Sequence, residues 1–195
     1  MIDALLLAVV VLWILVIALV VAVFALARQI GVLYERVAPM GALMMDEGPK
    51  VGDLAPVFNL TTLSGPRVQV GAPGPHSTLL FFVSPTCPVC KKLIPVLRST
   101  AKVENAWLRV VLASDGDEAR QRAFYEKAAL GDFPYVLSSD LGMAFKVGKL
   151  PFAVLIDEQG RVRSKGLINS REQLESLFPA KDLGVESFQE YLQKA

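Results

Sequence analysis

The feature that most constrains this chain is an uninterrupted apolar run near its N-terminus. The 24 residues from Ala4 to Ala27 include no charged or strongly polar side chain. At 1.5 Å per residue, an α-helix of that length measures about 36 Å, enough to cross a hydrocarbon core of about 30 Å. A helix packed on a globular core would keep a polar stripe, and this run has none. The sequence therefore predicts a transmembrane helix at 4–27.

The same run contains Ala25-Leu26-Ala27, an A-x-A pattern that a signal peptidase could cut after Ala27. The run is longer than the roughly 7–15 residue apolar core of a signal peptide. The region before it carries Asp3 and no Lys or Arg. These features favour an uncleaved, single-pass anchor and leave cleavage open as the alternative.

The stretch 28–50 is predicted to be a juxtamembrane connector, in which Pro39 and Gly41 would stop a continuing helix. Its basic residues nearest the membrane are Arg28 and Arg36. By the positive-inside rule, these two arginines favour a cytoplasmic main domain.

Beyond residue 50, short apolar runs typical of strands alternate with stretches typical of helices. The order β-hairpin, β, α, β, α, β, β, α predicts one α/β domain at 51–195, with a mixed sheet covered by helices. Strands are expected at 57–60, 67–70, 78–83, 107–113, 152–157 and 161–165, and helices at 88–103, 117–129, 170–178 and 185–193.

Composition excludes several classes of function. The formal net charge is +1, which gives no reason to expect nucleic acid as a partner. The chain has two cysteines, both in one tetrapeptide, whereas a disulfide-stapled scaffold needs several spread along the sequence. The pair is therefore interpreted as chemical rather than architectural.

Cys87-Pro88-Val89-Cys90 follows the apolar run at 78–83 and opens the predicted helix at 88–103. The first turn of a helix has unpaired backbone N–H groups and a partial positive charge, and both stabilise a thiolate at Cys87. A thiolate is the nucleophile of disulfide exchange, and cysteines three residues apart on a helix share one face. The spacing favours a bridge that opens and closes.

Three other interpretations of the pair remain open. A structural disulfide would close a very small loop and remove little unfolded-state entropy. A zinc site needs four ligands, and the chain has no second cysteine pair and only one histidine, His76. Two inert buried thiols would not need to stand at the start of a helix.

The chain resembles the thioredoxin superfamily over 51–178, on Cys87-Pro88-Val89-Cys90, on Pro95 inside the following helix, and on Gly148-Lys149-Leu150-Pro151. The segment 52–60 is similar to the opening of the peroxiredoxin and membrane-tethered TlpA-like branch. The resemblance implies a thioredoxin-like fold with an N-terminal β-hairpin extension, a cis peptide bond before Pro151, and a disulfide as the only redox group.

A narrower resemblance, to the MauD family of methylamine utilisation proteins, covers nearly the whole chain. The stretches that carry it are 27–33, 82–92, 112–116 and 147–151. It implies a protein disulfide oxidoreductase or isomerase that helps to mature the methylamine dehydrogenase small subunit, a disulfide-dense periplasmic protein. Catalysis is then expected at Cys87, which attacks, and Cys90, which resolves, and substrate binding at Thr86, Leu150 and Pro151.

The sequence departs from thioredoxin patterns at three positions. Thr86 stands where many relatives have Trp, Phe81 where thioredoxins carry a buried Asp, and Leu93 where TlpA-like reductases often have Glu. A carboxylate near the second cysteine helps to deprotonate it. Its absence argues against an efficient thioredoxin-like reductase.

The resemblance implies three partners, which are the dehydrogenase subunit, the inner membrane and a membrane redox protein. It favours a periplasmic domain, against the two arginines, because handling disulfides needs an oxidising compartment. Three alternative functions stay open. These are a tethered chaperone or binding module for the same client, a peroxiredoxin-like peroxidase, and a copper carrier. The copper carrier is the weakest of the three, because it needs a histidine near the cysteines and His76 lies before the preceding strand.

Overall fold

A computed structural model describes residues 6, 9, 11–24 and 48–179 of the chain. The chain divides into two units, Met1–Met45 and Asp46–Ala195. In the first unit, residues 11–24 form helix α1, whose apolar side chains are exposed. Among the described residues, no helix combines the length and the apolar character needed to span a bilayer.

Several predicted segments fall partly or wholly outside the described residues. They are both ends of the 4–27 run, nearly all of the connector at 28–50, and the helix at 185–193. The transmembrane helix and the connector therefore stay predictions.

The second unit is an α/β domain. Its strands are β1 (Phe58–Thr61), β2 (Arg67–Val70), β3 (Ser77–Phe82), β4 (Leu108–Ser114), β5 (Tyr135–Leu137), β6 (Phe152–Ile156) and β7 (Val162–Leu167). Its helices are α2 (Pro88–Val103), α3 (Glu118–Lys127), α4 (Ser139–Ala144) and α5 (Arg171–Glu175), with a 3₁₀ turn at Leu130–Asp132.

The main sheet has five strands in the order β5-β4-β3-β6-β7. The pairs β3–β4 and β4–β5 are parallel, and the pairs β3–β6 and β6–β7 are antiparallel. Strands β1 and β2 form a separate antiparallel hairpin. The predicted mixed sheet and N-terminal hairpin are both confirmed.

The central strand β3 is buried along its whole length. Successive side chains of a strand point to opposite faces, so β3 contributes to two cores. Leu79 and Phe81 pack in a cluster with residues of α2, α3 and α5. Leu80 and Phe82 pack in a second cluster with residues of β2 and α4. The sheet is therefore covered on one face by three helices and on the other by the hairpin and α4.

Two elements were missed from the sequence, β5 and α4. Strand β5 has three residues, too few to show a period-two pattern. Helix α4 has six residues, and Gly142 lies within it. Its start is fixed by Ser138, whose side chain accepts a hydrogen bond from the Leu141 N–H. Neither element has a sequence signal long enough to separate it from a loop.

Candidate active site

The cysteine pair lies at the start of α2, after the short turn that follows β3. Cys87 and Cys90 form a disulfide with a Cα–Cα distance of 5.3 Å. Cys87 is the N-cap of α2, and Pro88 occupies the first turn, where a missing N–H costs little. The Cys90 N–H donates to Cys87 Sγ over 3.1 Å. This donor and the helix N-terminus both favour negative charge on the Cys87 sulfur once the bridge opens.

The two sulfurs differ in their access to solvent. Cys87 is half-buried, whereas Cys90 is 0% exposed. Cys90 belongs to the same apolar cluster as Phe81 and Leu93, which are 0% and 4% exposed. Both positions at which relatives place a carboxylate are thus buried apolar side chains here. Cys87 is the more accessible of the two sulfurs.

Cys87 lies on the wall of a groove of about 390 Å³. Thr86 and Leu150, two of the predicted substrate-binding residues, line the same groove. The third, Pro151, is buried and is not part of the groove lining. The Leu150–Pro151 peptide bond is cis, which confirms the prediction made from the family resemblance.

Three serines mark the carboxyl ends of the three parallel strands. Ser84 follows β3, Ser114 ends β4 and Ser138 follows β5, and all three line the groove. The strand ends are aligned by backbone bonds, from Val83 N to Ala113 O and from Ser138 N to Ser114 O, each 2.9 Å long. The Ser84 hydroxyl lies 2.9 Å from the Thr86 hydroxyl. The parallel strands therefore give the groove a hydroxyl-rich edge beside Cys87.

A buried polar chain holds the Ser114–Asp115 turn in place. The Gln121 amide donates to Ser114 Oγ over 2.8 Å and also to the Asp115 carbonyl, and the Tyr135 hydroxyl donates to Gln121 Oε1. Burial raises the pKa of Tyr135 to about 12, with a further upward contribution from the negative charge of Asp115 and a downward one from Ser114. The phenol therefore stays a neutral donor, and this edge of the groove is built on a fixed support.

Sequence reasoning missed most of the polar lining. Asp115 and Lys149 are both exposed and line the groove, although the sequence suggested them only as parts of family motifs. A usable signal existed for Asp115, because residues that follow adjacent parallel strands meet at one edge of a sheet. The remaining lining residues are Phe82, Val83, Ala113, Gly142, Val147 and Gly148.

His76 is exposed and lies in a bend before β3. Within the described part of the chain, no group of three or more His, Cys, Asp or Glu side chains could hold a metal ion.

Comparison with known proteins finds relatives that match most of this sequence. The sequence model of the Redoxin family matches residues 50–177. The chain is 47% identical over 185 residues to the methylamine utilization protein MauD of Methylorubrum extorquens, covering 94% of this chain and 89% of that protein. It is 45% identical over 184 residues to the protein of the same name from Paracoccus denitrificans, covering 93% and 90%.

Among solved structures, the domain is similar to the thioredoxin domain of a thiol-disulfide oxidoreductase from Bacteroides vulgatus. The TM-score is 0.55, with 19% sequence identity, over 64% of this chain and 95% of that one. At this identity the likeness establishes the fold, which is thioredoxin-like.

Proposed function

Because the chain belongs to the Redoxin family and, within it, to the MauD family, we propose that it is a membrane-anchored thiol–disulfide oxidoreductase that helps to form the disulfides of the methylamine dehydrogenase small subunit. The membership itself gives the chain a thioredoxin-like redox role in methylamine utilization, with a cysteine pair as its redox centre. The observation that carries the proposal is the half-buried Cys87 on the wall of a groove, joined to a fully buried Cys90.

In the oxidising direction, a client thiolate attacks Cys87 Sγ. The Cys87–Cys90 bond breaks, and Cys90 leaves as a thiolate that takes up a proton. A second client thiolate then attacks the client sulfur of the mixed disulfide, and Cys87 leaves as a thiolate stabilised by the Cys90 N–H. The client loses two electrons and gains a disulfide, and the pair becomes a dithiol.

The pair must then be reoxidised, which the proposal assigns to a disulfide of a membrane redox partner. In the opposite direction, the Cys87 thiolate attacks a wrong client disulfide and forms a mixed disulfide. When another client thiolate displaces Cys87, the client disulfide is rearranged with no net change in oxidation state. When Cys90 displaces the client sulfur instead, the client disulfide is reduced and the Cys87–Cys90 bridge forms again.

The proposal places residues 4–27 in the inner membrane and the domain in the periplasm. The uncharged run of 24 residues supports the anchor. The proposed client needs disulfides, and these persist in oxidising compartments. The arginines at 28 and 36 favour the opposite orientation, but they are only two charges.

A trapping experiment tests the proposal. Cys90→Ser removes the resolving thiol, so a mixed disulfide at Cys87 should persist in a host that expresses the methylamine system. Mass spectrometry of the trapped adduct is expected to find the dehydrogenase small subunit. The matched control is Cys87→Ser. It keeps only the Cys90 thiol, which is buried, and it should trap nothing.

The principal alternative is a tethered chaperone that grips the same client without exchange chemistry. A Cys87→Ser/Cys90→Ser variant that still supports full dehydrogenase maturation would establish the chaperone and remove the exchange mechanism. A peroxidase is excluded if the reduced protein does not consume hydrogen peroxide faster than the double variant.

A further inference from the structure

A second groove, of about 560 Å³, lies between α2 and α3. Its floor is apolar and includes Ile94 and Pro95 of α2 and Phe124 of α3. Ile94 and Phe124 are 5% and 7% exposed, so they belong to the core and show only one side to the groove. This second groove uses none of the residues that line the Cys87 groove.

Three exposed cations stand around the apolar floor, Lys91 on α2 and Arg120 and Lys127 on α3. Among the described residues, none of these three side chains has an ion pair or hydrogen bond, whereas an exposed cation on a helix often finds a carboxylate one turn away. Their charges are therefore available to a partner.

A fourth cation, Arg98, has a different role. Its Nε lies 3.3 Å from Asp132 Oδ2, and its guanidinium donates to the Ala128 and Ala129 carbonyls. These bonds join the middle of α2 to the end of α3, so Arg98 forms a fixed end wall. The groove is consequently held open by structure that needs no ligand.

Carboxylates of α3 lie outside the groove. Glu118 bonds Arg122 over 2.8 Å, and neither of these two residues nor Glu126 lines the groove. The groove thus combines an apolar floor with positive charge that nothing in its lining neutralises.

Two residues of the groove lining flank the cysteine pair in the sequence. Pro85, two residues before Cys87, and Lys91, directly after Cys90, both belong to its lining. A polypeptide seated there would contact the residues that flank the cysteine pair at the start of α2. An anionic bilayer would require the cations on a flat or convex surface, whereas a concave apolar floor accepts side chains.

We propose that this groove docks an acidic segment of the protein with which the cysteine pair exchanges disulfides. Apolar side chains of the segment fill the floor, and its Asp and Glu side chains meet Lys91, Arg120 and Lys127. The docking surface stands on its own geometry, and only the identity of the occupant as an exchange partner rests on the proposed function.

The test uses the full chain in detergent micelles and a labelled, cysteine-free peptide in which Phe and Leu are flanked by glutamates. Fluorescence anisotropy is expected to show that Arg120→Glu/Lys127→Glu weakens binding by about tenfold or more, as for charges at an interface. The neutral variant Arg120→Gln/Lys127→Gln should fall between, and added salt should weaken binding to the native protein.

The matched control is Lys50→Glu/Arg67→Glu, which makes the same change in net charge at two exposed cations outside the groove. It should bind the peptide as the native protein does. Equal losses in both double variants would overturn the inference, since binding would then follow net charge alone. So would equal affinity for a peptide with lysines in place of the glutamates.

Two further measurements separate this inference from the proposed function. A phosphatidylglycerol vesicle that binds in an Arg120- and Lys127-dependent manner, while the peptide does not bind, would overturn the protein partner. A dithiol version of each peptide then reports exchange. If the groove binds the acidic peptide but neither dithiol peptide is oxidised, the exchange function fails and the docking surface stands. If the acidic peptide does not bind better than the lysine peptide and both dithiol peptides are oxidised equally fast, the docking inference fails and the function stands.

Discussion

Single residues decide how the two sulfurs can react. Cys87 has a backbone donor at 3.1 Å and the start of α2 behind it, whereas Cys90 is enclosed with Phe81 and Leu93. An apolar enclosure disfavours a thiolate, because burial penalises the charged form. The step in which Cys90 gains or loses its proton is therefore the one that this site leaves least assisted.

The first prediction concerns Leu93. Leu93→Glu places a carboxylate near Cys90 and should speed resolution of a mixed disulfide by about a hundredfold, the lower end of the range for general acid–base assistance. Single-turnover kinetics of the reduced protein with a disulfide peptide measure this rate. In Leu93→Gln the new side chain has nearly the same shape as Glu but carries no charge, so this variant should not speed resolution of the mixed disulfide. An equal effect of both variants would contradict the proton-transfer explanation.

Tyr135 supports a second prediction, about alkaline pH. The folded protein keeps the phenol proton up to about pH 12, whereas an unfolded chain releases it near pH 10. The contribution of Tyr135 to stability is complete below about pH 10 and is lost as the pH rises towards about 12, by at most about 2.7 kcal/mol.

Denaturant titrations across this pH interval measure the effect. Tyr135→Phe should lack the extra loss of stability and should be about 1–2 kcal/mol less stable at neutral pH, because Gln121 Oε1 loses its donor. If stability falls with pH equally steeply in the variant and in the native protein, Tyr135 does not cause the loss of stability at alkaline pH.

At the scale of secondary structure, the sequence predicts the long or strongly marked elements well. Helix α2 has the predicted bounds, and α3 begins one residue after its predicted start, with Asp117 as its N-cap. The apolar runs of β3 and β6 lie within a residue of their expected positions. These elements can be predicted because apolar runs and helix-capping residues are local features of the sequence.

The site divides along the same line. Cys87 and Cys90 are indicated by one tetrapeptide and the apolar run before it. Thr86, Leu150 and Pro151 came from the family resemblance. Ser114, Asp115 and Ser138 come together only because parallel strands end at one edge. The sequence marks residues that follow predicted strands, such as Asp115, but it does not give the strand order that brings them to one groove.

A third prediction belongs to the hairpin. Gly71, which follows β2, has φ +81°, and a Cβ at this position would lie 2.2 Å from the Pro56 carbonyl oxygen. Gly71→Ala should therefore destabilise the domain by about 2–4 kcal/mol, combining backbone strain with a clash. Gly65 is the matched control, because its φ is +106° and a Cβ there meets nothing within 4 Å.

Gly65→Ala should cost only about 1 kcal/mol, from the positive φ alone. Thermal unfolding of the two variants separates the two contributions. Equal losses would mean that the close approach of Gly71 to Pro56 does not constrain the hairpin.

The whole molecule raises the question of which side of the membrane the cysteines occupy. We predict that Cys87 in the Cys90→Ser variant, once reduced, reacts with a membrane-impermeant maleimide in spheroplasts whose inner membrane is intact. The reason is that the proposed disulfide chemistry needs the oxidising side. Cys87→Ser/Cys90→Ser is the control and should not be labelled. Labelling that appears only after the inner membrane is permeabilised would place the domain in the cytoplasm, as the arginines at 28 and 36 favour.

The position of β3 also has a consequence for the order in which the molecule is made. Phe82 of β3 pairs with Phe152 of β6, 70 residues later in the chain. A chain that emerges with its N-terminus first can pair β3 with β4 early, but the other edge of β3 stays open until β6 has appeared. Gly148, Lys149 and Leu150, which complete the groove, arrive just before β6. The cysteines are thus synthesised well before the residues that complete the groove, and the groove can form only after most of the domain has been made.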